Sequence, residues 1–140
     1  MKSDADVPNI LKADGVAQSF FENANQSVTN IPELIKKYGT DSSWSHTLVN
    51  SESNSSTLIC QLPGEGNRRH HHPDWNEWWF IVQGTWIWEI EGKEMHVSAG
   101  DFVFIEKHKK HKITAAGDKA ALRIAVSRYD VEHVYDDGDY

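Results

Sequence analysis

The segment from Gly64 to Gly84 reads Gly-x5-His-x-His-x4-Glu-x6-Gly, with His70, His72 and Glu77 at the marked positions. A further histidine, His111, follows Gly100-Asp101-Phe102-Val103-Phe104-Ile105 at a matching offset. Three imidazoles and one carboxylate at such spacings can surround one transition-metal ion and leave positions for other ligands. Structural metal sites are usually closed by four protein ligands in a tetrahedron, so an open set points to reactivity.

The elements that must position these donors are short strands. Alternation of side chains along a strand places His70 and His72 on one face and His71 on the other. Glu77 returns to the same point across the loop Pro73-Asp74-Trp75-Asn76, and His111 comes from a separate strand pair. From Trp44 onward, runs rich in β-branched and aromatic residues alternate with Gly, Asn and Ser. Strands are expected over 44–48, 57–62, 76–82, 85–90, 94–97, 102–105, 112–115 and 121–127. Eight short strands at this spacing argue for an all-β sandwich or barrel. Ahead of them, Asn30 can cap a helix with Pro32 in its first turn, Lys36 and Lys37 suit its last turn, and Gly39 can stop it. Residues 1 to about 12 are polar and are expected to fray. The chain divides into an N-terminal extension with a short helix (1–43), a β-barrel (44–128) and an acidic C-terminal tail (129–140).

Five of the six tryptophans fall between residues 75 and 88. Period two puts Trp79 and Ile81 on the ligand face of one strand and groups Trp86, Trp88 and Ile90 on one face of the next. If that group faces inward, Trp79, Trp86 and Trp88 form an aromatic wall that contacts substrate and excludes water. Trp78, opposite Glu77 in parity, suits packing or a dimer interface. Arg68, Arg69, Lys107, Lys109, Lys110 and Lys112 flank the ligands, six of the fourteen cationic residues. Such a rim can steer an anion, and an arginine can grip its carboxylate bidentately. Arg68 has the parity of His70 and is the first candidate for that grip. Arg123 is a second, with a surface ion pair as its plainer role. His108 is placed at the mouth as a proton shuttle or as an exposed turn residue. Cys60 shares parity with Leu58 and Leu62 and reads as a small buried side chain.

Composition narrows the partners. A formal net charge of -7 excludes a general nucleic-acid footprint. No apolar run approaches a membrane span. The single cysteine rules out an internal disulfide, and the start of the chain lacks a secretion signal, so a cytoplasmic setting is expected.

The spacing of His70, His72 and Glu77 between Gly64 and Gly84 resembles the first motif of the cupin superfamily. Gly100, Asp101 and His111 match its second motif, with Glu106 where proline is common, His108 where glycine is common and Ala115 in place of the usual asparagine. The resemblance covers roughly residues 44–128. It implies a jelly-roll β-barrel, commonly a homodimer, that holds one divalent metal per chain. Fe(II) is favoured, with Mn, Ni, Cu or Zn as alternatives. It makes an Fe(II)-dependent dioxygenase acting on a small anionic molecule, aromatic or not, the leading expectation. In that reading the metal is held by His70, His72, Glu77 and His111, while Glu77 and His108 serve catalysis. A lyase or isomerase using the metal as a Lewis acid, with Tyr129 as a candidate helper, is the second expectation. A barrel that only binds a small molecule is the third, since one fold hosts many functions.

Overall fold

The computed structural model describes residues 2–3, 7–128, 130 and 132–136; side-chain surroundings are described from residue 10 onward. Twelve strands and two helices are present among them. They are β1 (Lys2–Ser3), α1 (Val7–Ala13), β2 (Gln18–Phe20), α2 (Ile31–Tyr38), β3 (Trp44–Asn50), β4 (Ser55–Gln61), β5 (Gly66–His71), β6 (Glu77–Gln83), β7 (Thr85–Ile90), β8 (Lys93–Ser98), β9 (Phe102–Ile105), β10 (His111–Ala116), β11 (Ala121–Ser127) and β12 (Glu132–Tyr135). They form two six-stranded sheets, ordered β1-β12-β5-β10-β7-β8 and β2-β3-β4-β11-β6-β9. The inner faces of the two sheets meet in a jelly-roll barrel, the fold implied by the cupin resemblance and one of those the alternating pattern allows.

Alternation decides which residues enter the barrel. On β6, Glu77, Trp79 and Ile81 are buried while Trp78 and Phe80 are exposed. On β7, Trp86 and Trp88 are fully buried. These side chains join Val103, Ile105, Ile113, Ala115 and Ala121 in the interior core. Each fully buried indole removes on the order of 200 Å² from water, so these rings dominate the barrel's hydrophobic stabilisation. At the β6–β7 turn, Gly84 has φ 78°, and a Cβ there would stand 2.8 Å from the Ala121 Cβ. Backbone conformation and close packing both require glycine at that point.

Helix α2 forms where its end signals stand. Asn30 Oδ1 accepts the Glu33 N–H at 2.9 Å, and the Gly39 N–H closes the helix on the Ile35 carbonyl. Ile31, Leu34, Ile35 and Tyr38 of α2 cover the outer face of the second sheet over Trp44, Leu58, Cys60 and Leu122. Cys60 is buried as expected, and burial pushes its thiol up to about 11, which leaves it inert.

The ordered structure reaches past the expected 44–128 at both ends. Residues 1–12, expected to fray, include α1, because Leu11 finds an apolar seat against Val16 and Ile59. In the segment expected as an acidic tail, Glu132–Tyr135 pairs with β5, with Tyr135 opposite His70. Residues 137–140 of that tail lie outside the described residues, as does Tyr129. Among the eight expected strands, β5 is missing, since Gly-Asn-Arg-Arg-His-His carries no apolar pattern. It is held by ladders to β10 and β12 instead. No helix among the described residues is long and apolar enough to cross a membrane.

Candidate metal centre

Two strands deliver the histidines to one end of the barrel interior. His70 is the fifth residue of β5, His72 follows its last residue, and His111 opens β10 directly opposite His70. All three are buried, to 2 % exposure or less, and their donor nitrogens lie within 4.8 Å of one another. His70 and His111 rings stand 4.2 Å apart, and His70 and His72 rings 5.0 Å apart. Glu77, the first residue of β6, is 4 % exposed, and its Oε2 touches His72 Nε2.

The hydrogen bonds around the cluster assign the ring protons. Nδ1 of His70 meets the Arg68 carbonyl at 2.7 Å, Nδ1 of His72 the Glu132 carbonyl at 2.7 Å, and Nδ1 of His111 the Lys109 carbonyl at 3.0 Å. A carbonyl oxygen only accepts, so each Nδ1 must donate, and each neutral ring turns a lone pair on Nε2 to the centre. Backbone carbonyls orient metal-binding histidines in this way. Neither His70 Nε2 nor His111 Nε2 has a hydrogen-bond partner among the described residues. The contact between His72 Nε2 and a carboxylate oxygen sets two acceptors against each other, which only a proton or a cation between them resolves. Buried acceptors without a donor are costly, and a divalent ion satisfies all of them together. The donor set therefore fits a metal.

Electrostatics agree with that fit. Burial drives His70 well below the usual imidazole value, reinforced by His111, His133 and His72. Burial, together with His72, lowers His111 to about 4. Both rings are thus neutral and free to ligate at neutral pH. Burial pushes the Glu77 carboxyl up, but His72, His133 and His111 outweigh it and hold the group below its usual value as a carboxylate.

A cavity opens beside Glu77. Its polar lining consists of Ser55, Thr57, Asn67, Ser127 and His133. Its apolar lining consists of Ile10, Leu11, Ile59, Trp79 and Ala125. Of the expected aromatic wall, Trp79 lines this cavity and stacks edge-on to His111 at 5.6 Å. Trp86 and Trp88 face inward as well, but they pack in the core, where the Arg123 guanidinium lies 4.7 Å from the Trp86 ring centre.

The expected cationic contacts are otherwise engaged. Arg68 Nε donates to Asp14 Oδ1 at 2.7 Å, with its guanidinium 4.1 Å from the Tyr135 ring centre. Arg69 pairs with Glu89. Arg123, for which a surface ion pair was the plainer expectation, is fully buried and bonds to Gln61 Oε1 at 3.0 Å and Asn67 Oδ1 at 2.9 Å through Nη2. Inward parity on β11 overrides the charge, and burial lowers the guanidinium to about 10. His108 is exposed and does not join the buried cluster. Its φ of 72° is the left-handed conformation that suits the glycine common at this place, and its N–H bonds to the His72 carbonyl at 2.7 Å.

One residue beside the donors carries no role in the sequence reading. His133, on β12, is 6 % exposed, stacks on His70 at 4.5 Å and meets His72 edge-on at 4.5 Å. Its shared parity with Tyr135 was the available signal, but a four-residue strand between polar segments is too short to stand out.

Comparison with known proteins agrees with this architecture. Residues 57–128 match the family described as the cupin domain. Acireductone dioxygenase of Bacillus thuringiensis (strain Al Hakam) is 31% identical over 83 residues, 56% of this chain and 48% of that protein. The chain thus spans about half the length of the curated relatives it matches. Among solved structures, a conserved protein with a double-stranded β-helix domain from Klebsiella pneumoniae superposes with a TM-score of 0.67 at 15% identity, covering 79% of this chain and 92% of that one. A cupin 2 domain-containing protein from Halorhodospira halophila gives 0.59 at 18% identity, covering 64% and 66%. At such identities the likeness is one of fold. With the profile match spanning half the chain and the histidines converging inside the barrel, this chain belongs to the cupin family.

Proposed function

We propose that the protein is a mononuclear metal-dependent cupin enzyme, an Fe(II)-dependent dioxygenase acting on a small anionic molecule. The observation that carries this reading is the set of three buried imidazoles pinned through Nδ1 to backbone carbonyls, with their Nε2 atoms converging beside Glu77. His70, His72, His111 and Glu77 would hold the ion, a mixed imidazole and carboxylate donor set that suits Fe(II). The similarity to acireductone dioxygenase supports the oxygen-dependent reading.

Iron, when bound, supplies the one-electron chemistry that dioxygen requires. The chain's own residues do the rest. The carbonyls of Arg68, Lys109 and Glu132 fix the ring orientations. Trp79 and the apolar wall keep bulk water from the site, which strengthens polar interactions inside it. Thr57 and Asn67 offer a hydroxyl and an amide to substrate oxygen atoms.

The test is oxygen uptake after anaerobic Fe(II) loading, screened against small hydroxy, keto and enediol carboxylates. Uptake with Fe(II) and none with redox-inert Zn(II) is the expected result. Turnover without oxygen and equally well with Zn(II) would replace the dioxygenase by a Lewis-acid enzyme. A homodimer belongs to the same reading. Trp78, Phe80, Phe102 and Phe104 give the outer face of β6 and β9 an exposed aromatic surface that suits self-association. A monomeric mass in analytical ultracentrifugation would overturn that part.

A further inference from the structure

We infer that Asn76 is a positioning residue of the metal centre, its side-chain amide tying the segment that delivers Glu77 to the turn that holds His72 and His111. The inference rests on the metal-centre reading above and adds a residue to it. The four candidate donors come from three stretches of chain, 70–72, 77 and 111, and the turn over residues 106–110 meets all three. The His108 N–H bonds to the His72 carbonyl at 2.7 Å, and the Lys109 carbonyl accepts His111 Nδ1 at 3.0 Å. The Lys107 N–H bonds at 2.8 Å to Oδ1 of Asn76, the residue before Glu77. From the other side, the Glu91 N–H bonds to the Lys110 carbonyl at 2.9 Å, and Glu91 Oε1 accepts the Lys110 N–H at 3.2 Å.

Chain geometry explains why a side chain is needed at position 76. The β6–β9 ladder runs from Phe80 opposite Phe102 to Glu77 opposite Ile105 and ends there. On the other side of β6, β11 pairs only from Trp78 onward, so Ile105 is the ladder partner that Glu77 has. Beyond that pair the chain enters the loop 73–76 and the turn 106–110. A backbone N–H is an obligatory donor, and the Lys107 N–H needs an acceptor where the ladder no longer supplies one. Asn76 Oδ1 is that acceptor, and it carries the joining of the two segments past the last ladder pair. The rest of the loop is held toward a different element: Arg128, just after β11, pairs with Asp74 and lies 5.2 Å from the Trp75 ring centre. Donors of a metal site must keep their place to within about 0.5 Å, and the Asn76 bond steadies Glu77 on the side that the ladder leaves open. The bond is exposed, so its contribution to global stability is small.

The Co(II)-loaded protein tests this, with affinity read by competition against a chromophoric chelator and coordination read from the visible bands of the ion. Asn76→Ala removes the acceptor. It should weaken Co(II) binding about ten-fold and shift the bands, with the melting temperature of the metal-free protein nearly unchanged. Asn76→Asp keeps an oxygen at the same place. It should restore the bands and bring affinity to within about three-fold of the unaltered protein, measured at high salt to screen the added charge. Unmoved bands or an unchanged affinity in Asn76→Ala would overturn the inference, since a merely structural loop alters stability and not coordination. Bands that Asn76→Asp fails to restore would do the same. A protein that takes up no Co(II) overturns the metal reading as well, whereas uptake that Asn76→Ala leaves untouched overturns only this inference.

Discussion

Two polar clusters are buried in the same barrel, and they have opposite needs. At one end, His70, His72, His111 and Glu77 converge, and the Nε2 atoms of His70 and His111 meet no donor among the described residues. Deeper in the core, Arg123 brings its own cation, binds the amide oxygens of Gln61 and Asn67, and lies over Trp86. Burial penalises charge in both places, lowering the imidazoles and the guanidinium alike. The difference is that the first cluster gathers lone pairs that an ion from outside would satisfy, whereas the second contains a cation of the protein's own. Converging lone pairs suit a cation from solution, whereas Arg123 rests one nitrogen on two amide oxygens and its guanidinium on an aromatic face, with its Nε and Nη1 unpartnered among the described residues.

The largest expected effect separates the two clusters by metal content. His72→Ala or His111→Ala should abolish stoichiometric metal uptake, measured by elemental mass spectrometry, while the metal-free variants stay folded. Arg123→Met should do the reverse. It leaves the Gln61 and Asn67 oxygens without their donor and should cost about 1–3 kcal/mol in urea unfolding, with metal content intact. Metal loss in the Arg123 variant would join the clusters into one functional unit.

A smaller effect comes from pH. Between the ordinary imidazole value of 6.5 and the value of about 4 for His111, the unfolded chain binds a proton that the folded chain refuses. The stability of the metal-free protein should therefore fall as pH drops through that window, with His70 adding in the same direction. Arg123 stays charged throughout, so Arg123→Met should keep this slope and His111→Ala should flatten it. Equal slopes in the unaltered protein and His111→Ala would remove the assignment of a buried neutral ring.

Much of the centre was legible in the chain because it is local. The His-x-His spacing on a strand, the parity of Trp79, Trp86 and Trp88, and the capping of α2 by Asn30 all follow from neighbours within one element. The roles of the arginines were not legible. Arg68 and Arg123 each meet partners far away in sequence, Asp14 for one and Gln61 and Asn67 for the other. His133 and the seat of α1 were hidden for the same reason: a short polar strand and a single helical turn or two carry too little pattern to announce where they dock.

By itself, then, the sequence determined the candidate donors and the strand alternation that turns them inward, since residue type and local period suffice for those, and its motif spacing carried the resemblance to the family. Only the tertiary structure decided the rest. It brought β12 alongside β5, set Ile10 and Leu11 of α1 in the cavity lining, and matched each histidine Nδ1 to a carbonyl. Those placements depend on long-range packing and on which buried polar groups can satisfy one another, and neither is encoded in a residue's immediate neighbours.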